Sequence, residues 1–323
     1  MTPVIETQDL VMRFPAGKEY PGRRATMLTA ADHVFLKVGD GETLGLVGES
    51  GCGKTTVGNC ILRLLKPTGG SILYRGQDIL SMRDSRFQTI RGRLQMVFQD
   101  PQSSLDPRMT VRRIVGYPLK IQKGVKEPER SERVTAALSD VGLGPEHLDR
   151  YPHEFSGGQR QRIGIARALI TGPEFVVFDE PTSALDVSVQ AQILNLILDL
   201  QEKYGIAYLF ITHDLAVVRH ISTRIAVMYL GSILESAPRE RFFKNPCHPY
   251  TRALIASVPR PDPFRRQELA VLSGDVPSPI HLPVGCRFSP RCKQAMAVCR
   301  TIAPPHVRIA PDHWVDCHLY GKA

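Results

Sequence analysis

Short apolar runs recur along the first two-thirds of the chain, each closed by glycine, proline or an acidic residue. Residues 4–14 predict a strand, followed by a polar, glycine-containing loop to about 24. Residues 34–38 and 43–47 predict two strands joined by the turn Gly39-Asp40-Gly41-Glu42. A glycine-rich loop then leads into a helix over about 54–65. Gly69-Gly70 and Gly76 punctuate a short hairpin, and 94–98 predicts a short strand. From about 100 to 172 the pattern is mostly helical, with breaks expected at Pro118, Gly124 and Pro145. This stretch reads as a helical subdomain inserted into a sheet domain. Residues 175–178 are wholly apolar between Pro173 and Asp179, as a parallel strand buried on both faces requires. A helix over 187–204 and strands over 207–211 and 224–229 complete an α/β pattern. Beyond Pro238 prolines become frequent, and the pattern predicts a separate C-terminal unit.

With 323 residues, 42% of them hydrophobic, the chain can bury one large core and a smaller appended unit. No run approaches 18 consecutive apolar residues, so no spanning helix is expected. Glu6 and Asp9 fall where a signal peptide would need apolar residues, which points to the cytoplasm. The net charge of +9 invites a nucleic-acid or lipid-headgroup reading. The basic residues are spread out and lack an aromatic-basic array, so ordinary solvation accounts for them better. Of seven cysteines, four lie between Cys286 and Cys317.

Gly48-Glu49-Ser50-Gly51-Cys52-Gly53-Lys54-Thr55, followed by Thr56, matches the phosphate-binding pattern G-x-x-x-x-G-K-[ST] between an apolar strand and a helix. Small residues let the backbone curl so that several N–H groups face phosphate oxygens. The helix starting near Lys54 adds a partial positive charge, Lys54 reaches the outer phosphates and Thr55 offers a hydroxyl to Mg²⁺. The run 175–178 delivers Asp179 and Glu180 at a strand's C-terminal end, where open α/β sheets bind ligands. Asp179 suits the Mg²⁺ shell and Glu180 suits general-base activation of water. Cys52 has two readings: a thiol activated by the helix N-terminus, or a small residue that fits the loop.

Phe155-Ser156-Gly157-Gly158-Gln159 resembles the LSGGQ signature of ABC-type ATPases, with Phe for Leu. The other landmarks follow in order. Gln99 resembles the Q-loop glutamine that senses metal and water, and Ser183-Ala184-Leu185-Asp186 the D-loop. His213 resembles the switch histidine, and Phe14 the aromatic that stacks on adenine. The resemblance implies an ABC-type P-loop NTPase with a RecA-like core, an antiparallel β subdomain, an inserted helical subdomain and a small Cys/Pro-rich extension. It places the ATPase domain over 1–237 and the extension over 238–323. In that family ATP and Mg²⁺ (Thr55, Gln99, Asp179) are sandwiched between one subunit's phosphate loop and the other's signature (Ser156, Gly157, Gly158, Gln159).

Four stretches are similar to the dipeptide/oligopeptide permease ATPases: Asp100 to Arg108, Asn245 to Thr251, Gly274 to Pro279, and Cys286 to Cys292. The runs Phe155 to Arg162 and Pro181 to Ser188 are similar to the F-type subunit of that family. The resemblance implies a D-type paralogue as heterodimer partner, two permease subunits and an extracytoplasmic peptide-binding protein. It implies a peripheral location on the cytoplasmic face of the inner membrane, with no nucleic acid. Import of nickel chelates or glutathione would share every motif, and a soluble ABC protein acting on nucleic acid is an alternative of another class. Cys286, Cys292, Cys299 and Cys317 are spaced C-x₅-C-x₆-C-x₁₇-C. They resemble the iron–sulfur-binding tail of these ATPases, four thiolates being the ligand count of a [4Fe–4S] cluster. Zinc, four free thiols and, less readily in a reducing compartment, disulfides stay open at this level. Arg287, Arg291 and Lys293 are expected to offset the thiolate charge.

Overall fold

An uninterrupted apolar strand needs apolar neighbours on both faces, and the run 175–178 finds them in a parallel sheet. A computed structural model describes residues 2–16, 26–100, 104–121, 125–258, 274 and 277–321. The chain forms two compact units, one from 1–5, 37–43 and 73–211, the other from 6–36, 44–72 and 212–323. In chain order the strands are β1 (Ile5–Ala16), β2 (Thr26–Val38), β3 (Thr43–Val47), β4 (Gly69–Tyr74), β5 (Gln77–Asp78) and β6 (Leu94–Val97). They continue with β7 (Phe175–Asp179), β8 (Ala207–Thr212), β9 (Arg224–Tyr229), β10 (Ser232–Pro238), β11 (His306–Ala310) and β12 (His313–Asp316).

In the first unit β6, β7 and β8 run parallel, with Leu94 opposite Phe175 and Phe175 opposite Ala207. All five residues of β7 are buried. Phe178 meets the Tyr208 ring edge-on at 5.0 Å and stacks on Phe210 at 5.8 Å. Such ring pairs add about 0.5–1.5 kcal/mol each beyond area burial. The helical stretch comprises Val111–Ile121, Glu129–Asp140 and Gly157–Leu169. Pro118 does not break the first of these. It sits in the last turn, where it removes a single backbone bond. The buried face of Val111, Ile114, Val115 and Leu119 holds the helix against that loss. Gly124 lies outside the described residues, and Pro145 opens the short 3₁₀ turn Pro145–His147.

In the second unit β3 runs parallel to β9, with Leu44 opposite Arg224, and β9 continues antiparallel to β10. β10 pairs with β12, and β12 with β11. Thr7 stitches β1 to β2: its hydroxyl donates to Val34 O at 3.0 Å and accepts from Leu36 N at 2.8 Å. The helix after β3 is shorter than its apolar pattern, ending at Ile61, because Arg63 turns to φ +53°. The Pro- and Cys-rich residues beyond 238 share this unit with the phosphate loop. They join β9 through an aromatic cluster in which Tyr229 lies 4.8 Å from Tyr250 and 5.5 Å from Phe288.

A buried carboxylate ties the same region together. Glu235 on β10 is fully buried and accepts the N–H groups of Cys247 and His248 at 2.8 Å each. It also meets His313 Nε2 at 2.9 Å. Burial pushes its carboxyl up, but the His313 bond and the two N–H groups outweigh that and hold it below its ordinary value of 4.5. A depressed folded value stabilises the fold above 4.5, and that contribution is lost as pH falls through the folded value. Glu235→Gln turns an NH₂ toward a backbone donor and is expected to cost about 2–3 kcal/mol. Urea unfolding at pH 7 checks the loss. Repeating it toward pH 4 should show a smaller acid loss in the variant than in the native chain.

Candidate nucleotide site

The phosphate loop leaves β3 at Gly48 and enters the helix Lys54–Ile61. Gly53 sits at the helix start with φ +108°, and a Cβ there would meet the Ala30 carbonyl oxygen at 1.9 Å. Only glycine allows that approach. Lys54 is 5% exposed, and its ammonium donates to Gly48 O at 2.8 Å and Glu49 O at 3.0 Å. Thr55 and Ser50 are exposed, Thr56 is half-buried, and Gly51 takes φ +76°. Outside groups pin the loop. Gly231 N–H donates to Cys52 O at 2.9 Å, and Glu49 N–H donates to Tyr250 Oη at 3.1 Å. Arg291 grips the Glu49 carboxylate with two bonds, of 2.8 and 3.0 Å.

In the same unit His213 is exposed between β8 and the helix Leu215–Ile221, which Asp214 caps through Ala216 N–H at 2.8 Å. Phe14 is half-buried near the end of β1. In the first unit β7 ends on the buried Asp179. Glu180 follows at φ +45°, a conformation sparsely populated for residues with a side chain. Its N–H donates to Ile211 O at 2.9 Å, and Gln99 Nε2 donates to its carboxylate at 3.3 Å. A strained backbone held by surrounding bonds is what a preset functional carboxylate needs. So the glutamine expected to sense metal and the candidate base, 81 residues apart in sequence, are brought together.

The signature residues cap a helix. Ser156 Oγ accepts from Gln159 N–H at 3.3 Å, and Gln159 Oε1 accepts from Ser156 N–H at 3.1 Å. A Cβ on Gly158 would meet Val189 Cγ1 at 2.4 Å, so glycine also lets the two helices approach. Ser183 Oγ donates to Glu180 O at 3.1 Å, joining the D-loop to the candidate base. Residues 101–103 of the stretch after Gln99 and residues 275–276 lie outside the described residues.

Cys286, Cys292, Cys299 and Cys317 line one small cavity with His248 and Phe288. Burial pushes the Cys286 thiol up to about 11 and raises Cys292 and Cys317 as well. The neighbouring arginines do not offset thiolate charge as expected: Arg291 is engaged by Glu49 and Arg287 by Asp32. These carboxylates are remote in sequence, so composition could not reveal the pairing. Sequence reasoning also missed Tyr250 and Arg291 at the phosphate loop, although both sit in stretches it singled out. Burial favours the loop-fitting reading of Cys52 over the reactive one. The thiol is 5% exposed, and burial raises it more than the nearby Lys54 lowers it.

Residues 31–183 match the ABC transporter family model, and residues 234–299 match the oligopeptide/dipeptide transporter C-terminal region. The oligopeptide transport ATP-binding protein AppF of Bacillus subtilis (strain 168) is 48% identical over 98% of both chains. A solved dimeric, post-hydrolysis structure of the ATP-binding cassette MJ0796 with ADP and Pi is 29% identical at TM-score 0.64. It covers 73% of this chain and 98% of that one. Clostridium perfringens cbiO1, part of the cbiONQ ABC transporter complex, is 26% identical at TM-score 0.65, over 76% of this chain and 92% of its own. Iodoacetamide at pH 7 should modify Cys52 at least about tenfold more slowly than a free cysteine, as a raised thiol pKa and burial require. Peptide mass mapping checks the rate. With 48% identity across nearly its whole length, this chain belongs to the oligopeptide transport ATP-binding proteins of the ABC transporter family.

Proposed function

We propose that the chain binds and hydrolyses ATP to drive an ABC importer of peptides. The observation that carries this is a glycine-dependent phosphate loop closed on Lys54 in a chain that also holds Glu180 against Gln99. In this reading Lys54 and the loop N–H groups hold the phosphates, and Phe14 stacks on adenine. Thr55, Gln99 and Asp179 would hold Mg²⁺, which supplies charge neutralisation on the phosphates when bound. Their oxygen donors fit that hard cation. Glu180 takes the proton from the attacking water, and His213 contacts the γ-phosphate. Little covalent chemistry is left to the protein, so most of the catalysis is positioning.

One chain carries one phosphate loop and one signature. We therefore read the working site as shared between two subunits, with Ser156 and Gly158 donating to the partner's γ-phosphate at a helix N-terminus. The partner is proposed to be a D-type paralogue, and the pair to serve two permease subunits and an extracytoplasmic peptide-binding protein at the inner membrane's cytoplasmic face. Among the described residues no helix is long and apolar enough to cross a membrane. The ATPase domain is read as 1–237 and the extension as 238–323. Glu180→Gln should keep ATP binding and lower turnover by about 10²–10⁴-fold. Hydrolysis by the reconstituted variant at the native rate would overturn the assignment.

The tail is proposed to hold a [4Fe–4S] cluster on Cys286, Cys292, Cys299 and Cys317, in a structural role. Two observations support the fit. The four thiols line one cavity. His248 lines the same cavity, and among the described residues its buried Nε2 has no partner, although its Nδ1 accepts from Tyr250 N–H. Protein purified without oxygen should be brown and contain iron and sulfide. Each Cys→Ser change should bleach it. A colourless anaerobic protein with one zinc per chain would refute the cluster.

A further inference from the structure

We infer that Arg291 and Tyr250 are positioning residues for ATP, holding Glu49 and through it the first turn of the phosphate loop. The inference rests on the assignment of that loop to the phosphates of ATP. Glu49 is the loop's second residue, and it places a carboxylate inside an anion-binding turn. Left bare, that charge opposes phosphate. Arg291 answers it with two parallel bonds of 2.8 and 3.0 Å. The arginine side chain is 5% exposed and lies over the Tyr229 ring at 5.9 Å. A buried, forked and ring-backed guanidinium fixes direction as well as charge, which a lysine cannot do.

Tyr250 fixes the backbone of the same residue. Its hydroxyl meets Glu49 N–H at 3.1 Å, and its ring is fully buried against Tyr229 and Phe288. Tyr250 is itself held in the first turn of the helix Pro249–Ala256 by groups outside the loop. His248 Nδ1 accepts its N–H at 3.0 Å, and Pro249 stands at the first helical position. Lys54 also holds Glu49, through its carbonyl at 3.0 Å. Tyr250 and Arg291 hold the two groups of Glu49 that Lys54 does not touch, its N–H and its carboxylate. Both residues come from stretches, 245–251 and 286–292, that the hydrolysis chemistry leaves unused. The extension is thereby part of the ATP site, joined to it one residue before Cys292.

The test measures Mg-ATP affinity and steady-state kinetics on the full chain, assembled with its partners for turnover. Arg291→Met should weaken ATP binding about tenfold, with kcat at saturating ATP within about twofold of native. Adding Glu49→Gln removes the bare charge, so E49Q/R291M should return to within about threefold of E49Q alone. A general packing defect would not be relieved by a second substitution. Unchanged affinity in R291M, or a loss that E49Q does not relieve, overturns the clamp. If R291M does not accumulate folded, Arg291→Lys and Tyr250→Phe carry the test: weakened ATP binding supports the clamp and native binding overturns it. Lys54→Ala separates the two assignments. If it binds ATP normally, the loop assignment itself fails. If it loses ATP while R291M is unaffected, only the clamp fails.

Discussion

A glycine-rich loop that keeps backbone N–H groups open for an anion has few of them left to hold itself together, and the second unit supplies holding groups from outside it. Gly53 can turn under Ala30 only because it has no side chain. Further restraints come from elsewhere in the chain: Gly231 on the Cys52 carbonyl, Tyr250 on the Glu49 N–H, Arg291 on the Glu49 carboxylate. Each anchor is itself buried or tied into β9, β10 or the aromatic cluster, so the loop is fastened to the sheet behind it. The buried Glu235 serves the same end by fixing the turn at 247–248 from which Tyr250 projects.

The first unit solves a different problem. Its functional groups are side chains at the ends of strands and helices, and each is aimed by local backbone geometry. Glu180 is held in a left-handed conformation by the Ile211 carbonyl and touched by Gln99. The signature is a reciprocal cap that satisfies N–H groups at both Ser156 and Gln159, which defines the helix start. Asp186 does the same for the following helix through Val189 N–H at 2.9 Å.

The extension shows how a loop-rich, proline-rich segment can still be ordered. Its regular structure is slight, but Phe288 and Tyr250 bury their rings against Tyr229, and β12 adds to the edge of β10. Arg287 reaches Asp32 and the Leu230 carbonyl, so both arginines beside the cysteines are spent on the ATPase body. The four thiols lack compensating cations from these side chains, and the raised proton affinity of Cys286 is the consequence of burial first.

Local chemistry settled much of this in the sequence alone. The apolar run ending in Asp179-Glu180, the helix 187–204 and the strand 43–47 are legible because burial on both faces and helical periodicity leave a direct trace in residue order. The phosphate loop is legible because only small residues permit its curl. Tertiary structure alone decided what those elements meet. Arg291 and Glu49 are 242 residues apart, and Gln99 and Glu180 are 81 apart. A charge or an amide carries no sign of its partner in its own neighbourhood. Pro118 stays helical for the same reason: the buried face that outweighs its missing bond is supplied by packing. Composition marked the residues beyond 238 as different material, yet their place beside the phosphate loop came from ring packing and strand pairing. These depend on distance in space, which residue order does not record.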